Sequence, residues 1–173
     1  MILARKTFVD NSDKAIDLIS DAMMSGTEDA IRKVETEYKS NIRVKSGRTR
    51  SSISTQVDKS SSEINAHVGG DDPNLIWEEY GTGEYAVNRN GRSGWWVYVK
   101  DGSRPTSLSS SSSSKTYTRE EAARIMMMLR EKGLDAWMTK GKKANPALKN
   151  AYNKYGKDVK VDLSNSLRNH LGG

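Results

Sequence analysis

Few residues in this chain could carry out covalent or metal chemistry, and their spacing argues against it. His67 and His170 are the only histidines, one inside an alternating segment and one three residues from the end, and neither lies at metal-ligand spacing from a carboxylate pair. Asp71-Asp72 together with Glu78 or Glu79 could hold Mg²⁺, and would make a small basic nuclease the enzymatic alternative. Acidic pairs beside glycine and proline are ordinarily turns, however. The absence of cysteine removes disulfides, thiolate metal sites and a thiol nucleophile together. Met126-Met127-Met128 is a poor ligand set, because three successive residues point in three directions on a helix. The chain is expected not to be an enzyme, and to need no metal or cofactor.

What remains is charge and aromatic surface. Between Lys140 and Gly173 lie eight basic residues, Lys140, Lys142, Lys143, Lys149, Lys154, Lys157, Lys160 and Arg168, against Asp158 and Asp162. The preceding residues carry 20 charges of each sign, so the whole net charge of +6 sits in this terminal segment. Such asymmetry fits a polyanion or an acidic docking surface, or else the solvated face of a lysine-rich helix. The aromatic counterpart is Trp77-Glu78-Glu79-Tyr80-Gly81-Thr82-Gly83. Its two glycines suit a backbone that must adopt positive φ or approach another strand closely. The simplest reading is a strand end running into a tight turn, with Trp77 and Tyr80 buried.

The elements that must position these groups read as follows. Ile16, Ile19, Met23, Ala30, Val34 and Tyr38 recur at helical spacing over residues 12 to 41, a narrow stripe suited to a sheet or a neighbouring subunit. Gly26-Thr27 is a candidate break, with Thr27 capping a second piece. Ile53, Thr55 and Val57, then Ile64, Ala66 and Val68, alternate as an antiparallel hairpin closed by Gly69 to Pro73. Trp95 to Lys100 is the strongest strand signal. Residues 101–116, with six consecutive serines, form an expected mobile loop. Thr118 and Glu121 make a capping box, Ala122, Ile125, Met126 and Leu129 an apolar face, and Gly133 a stop. Leu134 to Lys140 is extended, and Pro146 opens a last basic helix over 146–168, weakened at Gly156. The expected architecture is α+β: a small antiparallel sheet flanked by a long N-terminal helix, a middle helix and a C-terminal helix, within a single domain over 1–173.

Length allows one sizeable core, and a mean hydropathy of -0.76 is polar for a compact enzyme, so part of the chain is expected to order on a partner. No apolar run approaches a membrane span, and the first residues lack the apolar core of a signal peptide. Export by that route and membrane association are not expected.

Taken in order, these parts resemble the tail-completion or head-tail joining family of tailed bacteriophages, in the variant typical of Gram-positive hosts. The family's first motif reads Pro-Val-x-Thr-Gly-x-Leu-Arg-x-Ser-Ile. Val44, Gly47, Arg50, Ser52 and Ile53 match it, while Arg43, Ser46 and Thr49 replace its proline, threonine and leucine. The second, aromatic-x-Glu-aromatic-Gly-Thr-Gly, is met by Trp77, Glu79, Tyr80, Gly81, Thr82 and Gly83. The third, Lys-Gly-x-x-Ala-x-Pro, falls on Lys140, Gly141, Ala144 and Pro146. The similarity spans most of residues 12 to 168. It implies a virion protein of the neck or tail, present in the host cytoplasm during assembly. It further implies a homo-oligomeric, hexameric ring meeting other neck and tail proteins (stopper, adaptor, terminator, tail tube).

In such a ring Trp77, Glu79, Tyr80, Gly81, Thr82, Gly83, Trp95 and Trp96 are the expected subunit or partner contacts. Arg48, Arg50, Lys140, Lys142, Lys143, Lys149, Lys154, Lys157 and Lys160 would meet packaged DNA or an acidic partner. The alternative is a non-specific nucleic-acid-binding module, in which aromatics and cations track a single strand. The separation in sequence between the aromatics at 77 to 98 and the terminal charge weighs against it.

Overall fold

A computed structural model describes residues 10–43, 47–100 and 115–172. The expectation of a mobile serine-rich loop falls on 101–116, of which 101–114 lie outside the described residues. The fold is α+β, with a long N-terminal helix, two small two-stranded antiparallel sheets, and C-terminal helices packed on the first helix. The chain divides into two compact units, one formed by 1–41, 46–71 and 148–173, the other by 42–45 and 72–147.

In the first unit, helix α1 (Ser12–Asn41) runs unbroken through Gly26-Thr27. The expected break fails because Thr27 does not cap: its Oγ1 donates to the Met23 carbonyl at 2.8 Å, one turn back. Gly26 is needed for a different reason. A Cβ there would come within 3.0 Å of the Leu163 Cα and the Ser166 Cβ, so the glycine lets another helix approach α1 closely. Ser166 Oγ donates to the Ala22 carbonyl at 2.7 Å across the same contact. Only the C-terminal part of the apolar stripe is core. Ala30, Val34 and Tyr38 are buried, whereas Ile16, Ile19 and Met23 stay exposed.

After the short helix α2 (Arg48–Ser51), the hairpin β1 (Ser54–Lys59) and β2 (Ile64–Gly69) pairs in the register implied by the alternation, with Thr55 opposite Val68 and Val57 opposite Ala66. It packs on α1, and Thr55 Oγ1 donates to Glu35 at 2.9 Å. Ile53, just before the hairpin, is 1% exposed. The last helix of the sequence reading is in fact two, α5 (Ala147–Tyr155) and α6 (Val159–Leu171). Gly156 is where they part: its N–H still bonds the Tyr152 carbonyl at 2.7 Å, and the turn then closes through Asp158 N–H to the Tyr155 carbonyl at 2.9 Å. A glycine in mid-helix has the least to lose by leaving it.

In the second unit, helix α3 (Asn74–Tyr80) is followed by a 3₁₀ turn (Gly83–Tyr85), strand β3 (Trp96–Val99), helix α4 (Arg119–Glu131) and strand β4 (Ala136–Thr139). The reading of Trp77 to Gly83 as a strand end is corrected: it is the end of a helix, and Gly81 is its C-cap at φ 70°. Helix wins because Leu75 and Glu78 lie three apart, sharing one buried face, while Trp77 and Tyr80 are 52% exposed each. The capping box on α4 forms as expected, with both Thr118–Glu121 bonds present. Its end is also as read, for Gly133 N–H bonds the Arg130 carbonyl and Leu134 N–H that of Leu129. Strands β3 and β4 pair antiparallel and α4 covers one of their faces, burying Ala122, Leu129 and Ala136.

Candidate functional site

The second and third motifs, about 60 residues apart in sequence, form one interlock. Thr82 N–H donates to the Lys142 carbonyl at 2.9 Å, and Lys142 N–H donates back to the Thr82 carbonyl (3.2 Å) and Oγ1 (3.0 Å). Glu84 N–H bonds the Lys140 carbonyl at 3.0 Å, and Asn145 N–H that of Glu78 at 2.6 Å. Such close pairing of two turns leaves no room for side chains between them. A Cβ on Gly83 would run into the Lys140 carbonyl, and one on Gly141 into the Thr82 carbonyl. Both glycines also have positive φ, 62° and 126°. These are contacts that glycine alone permits.

Glu78 anchors the interlock from beneath. Its side chain is 4% exposed, and its carboxylate pairs with Arg43 Nε at 2.8 Å and with Lys142 Nζ. The Arg43 guanidinium also donates through Nη2 to the Lys143 carbonyl. Thus the arginine that stands in place of the first motif's proline fastens the other two motifs together. Arg43 was not among the expected site residues, and Glu78 was considered only as a metal ligand of the enzymatic alternative. The 75/78 spacing would have exposed Glu78 had the segment been read as helical. Glu79, the motif's glutamate, is half-buried on the adjoining side of α3.

Two of the carboxylates suggested for Mg²⁺ have other work. Asp72 accepts from the Asn74 backbone and side-chain amides at 2.9 and 2.8 Å, capping the approach to α3, while Glu78 is held by its two cations. Among the described residues no group of three or more His, Cys, Asp or Glu side chains is placed to hold a metal ion. His67 sits exposed on β2 opposite Gln56. His170 Nδ1–H donates to the Ser166 carbonyl at 2.9 Å.

The expected contact residues divide between the two units. In the second, Ile76, Trp77, Tyr80 and Val87 are exposed apolar side chains around the outer side of α3, and Val87 N–H is bonded to the Tyr80 carbonyl at 2.9 Å. Trp95 bridges Tyr117 with Arg119 over its indole at 5.9 Å, and Trp96 lies beneath Arg92 at 5.1 Å. Lys140 and Lys143 both face the Tyr85 ring. Arg48, Arg50, Lys149, Lys154, Lys157 and Lys160 belong to the first unit.

There the terminal charge meets its complement. Helix α1 carries seven acids against four basic residues, and Lys154 Nζ reaches Glu37 at 2.9 Å while Lys33 Nζ reaches Asp162 at 2.5 Å. The described residues of this unit hold 12 basic and 13 acidic side chains, so its charge is nearly cancelled. The described part of the second unit holds 12 basic and eight acidic residues. Among the described residues the excess positive charge is therefore spread over the second unit, a distribution that the linear count at the C-terminus did not reveal.

One ion pair at the interlock makes it sensitive to acid. The Gly94 backbone N–H, at 3.1 Å, and the Lys140 ammonium, at 3.2 Å, hold the Glu84 carboxyl below the usual glutamate range. A carboxylate lowered in the fold contributes stability that is whole above the unfolded-chain value and disappears as pH falls through the lowered one. The Glu84–Gly94 tether should therefore open below the ordinary glutamate range, with faster Gly94 amide exchange than neighbouring amides, and Glu84→Gln should abolish that step. Lys140 is raised, chiefly by the hydrogen bond to Glu84, so its share persists below the ordinary lysine value and is lost only as pH climbs through the raised one.

No helix among the described residues is long and apolar enough to cross a membrane. Comparisons with protein-family models, with curated proteins and with solved structures found no match to this chain.

Proposed function

We propose that this chain is a non-enzymatic structural protein of a phage neck or tail, completing the tail and joining it to the DNA-filled head as a homo-oligomeric ring. Its place would be the virion, after assembly in the host cytoplasm beside other neck and tail proteins. The observation that carries the reading is the interlock of Trp77 to Gly83 with Lys140 to Pro146, fastened by Glu78. Segments that resemble separate motifs of that family are mutually bonded, and they hold Trp77 and Tyr80 outward on a braced helix. Rigid exposed aromatics lose little entropy on docking, which suits them to subunit or partner contacts. The exposed Ile16, Ile19 and Met23 of α1 offer a second apolar face, and a head-to-tail ring requires two different faces on each subunit.

The test is electron microscopy of particles from a phage, or phage-like element, lacking this gene. Filled heads and separate tails should accumulate unjoined, or tails should show abnormal ends, with complementation by the intact gene but not by a Trp77→Ala/Tyr80→Ala variant. Normal infectious particles without the gene would overturn the reading.

A further inference from the structure

We infer that the open face of the β3–β4 sheet is a stacking platform for single-stranded nucleic acid, a site distinct from the α3 contact face and independent of the joining role. The register sets Tyr98 directly opposite Trp137, and both rings are 46% exposed although large aromatics are usually covered. Trp96, two residues before Tyr98, lies on the same side by strand alternation, opposite Thr139. α4 covers the other face. Among the described residues, Tyr98 and Trp137 therefore stand exposed side by side on one sheet surface, while Trp96, at the end of that surface, packs its ring against Gly83.

The surface is pre-oriented and positive. Trp137 Nε1–H donates to Asp135 at 2.7 Å, fixing the indole, and Lys100 lies 3.9 Å from the same carboxylate. Arg130 stands over the Trp137 ring at 5.0 Å and is itself fixed by donating Nε–H to the Ala136 carbonyl at 2.8 Å; Arg92 stands over Trp96. Every base presents a π-face while every phosphate is an anion, so aromatic rings beside guanidinium groups on a unit with surplus positive charge fit a single strand without sequence preference. A duplex hides its base faces and is excluded from stacking. The sequence placed Tyr98 among aromatics that could track a single strand but did not suggest this site, because Trp137 is far along the chain and meets Tyr98 only through strand pairing, with Arg130 of α4 set over its ring.

The experiment is fluorescence anisotropy of labelled oligothymidylate, about 20 nucleotides long, titrated with the full chain at low and at moderate salt. Single strands should bind, more tightly than a duplex of equal length, and affinity should fall steeply as salt rises. Trp137→Ala and Tyr98→Ala should each weaken binding about tenfold, and Trp137→Phe should retain most of it. Both rings are exposed, so the alanine variants should keep the parent circular dichroism. Tyr98→Ala carries the test should Trp137→Ala fail to fold, and unchanged affinity in that folded variant would equally overturn the inference. Absence of single-strand binding at low salt, or affinity untouched by Trp137→Ala in a folded variant, would overturn the inference. So would unchanged nucleic-acid binding together with loss of self-association in sedimentation, which would assign the face to protein contact. Neither result would bear on whether heads and tails join.

Discussion

Replacing Arg43 and Lys142 together by methionine should destabilise the fold by about 3–5 kcal/mol, whereas Glu78→Gln alone should cost about 1–2 kcal/mol. The asymmetry follows from who is buried. The Glu78 side chain is 4% exposed, while those of Arg43 and Lys142 are 45% and 41% exposed. Remove the carboxylate and both cations can turn to water from where they stand. Remove the cations and a carboxylate is stranded in a site it cannot leave without undoing the end of α3, since Asn145 N–H holds the Glu78 carbonyl at 2.6 Å. Adding Glu78→Gln to the double methionine variant should then recover about half or more of the loss, because the stranded charge has gone. Urea unfolding of the four proteins, followed by tryptophan emission, measures this. Additive costs with no recovery would mean that the three side chains are not one network.

The two local codes behind most of the fold were legible because each is short. The hairpin register is written in the alternation of Ile53, Thr55 and Val57 against Ile64, Ala66 and Val68, and the start and stop of α4 in Thr118, Glu121 and Gly133. Where the reading failed, the deciding contact was distant in sequence. Gly26 looks like a helix break until Leu163 and Ser166 are seen to need its missing Cβ, 137 and 140 residues on. Gly156 is the exception, a local signal read as a weak point in one helix where the chain in fact turns between two. Trp77 and Tyr80 were expected to be buried by their apolar area, but on α3 they lie off the face that Leu75 and Glu78 share. Charge misled in the same way. The lysines after 140 form a net positive block along the chain, but Lys154 and the α6 aspartate Asp162 both meet α1 side chains of opposite sign. Motif spacing singled out Gly81, Thr82, Gly83, Lys140 and Gly141, but not that they bond to one another in the interlock. Its buried anchor, a charged pair between a helix face and a residue 35 positions earlier, is invisible to a linear scan.

Gly141→Ala should cost about 3–5 kcal/mol, with Gly83→Ala close behind. Two costs combine at Gly141. Its φ of 126° lies outside what an alanine adopts without strain, about 1–3 kcal/mol by itself. Its new Cβ would also be driven into the Thr82 carbonyl, a backbone atom that cannot swing aside as a side chain would. Relief requires the two turns to part, which breaks the reciprocal bonds of Thr82 and Lys142 and draws Lys142 Nζ from Glu78. Gly133→Ala isolates the first cost from the second. Gly133 has φ 80° but nothing within 4 Å of its would-be Cβ, so its alanine variant should lose only about 1–2 kcal/mol. Chemical denaturation of the three variants separates the terms. A Gly141→Ala loss no larger than that of Gly133→Ala would show that conformation alone selects glycine there. A markedly larger loss places the requirement in the close approach of the two turns, and with it the fixed outward pose of Trp77 and Tyr80 on which a rigid contact surface depends.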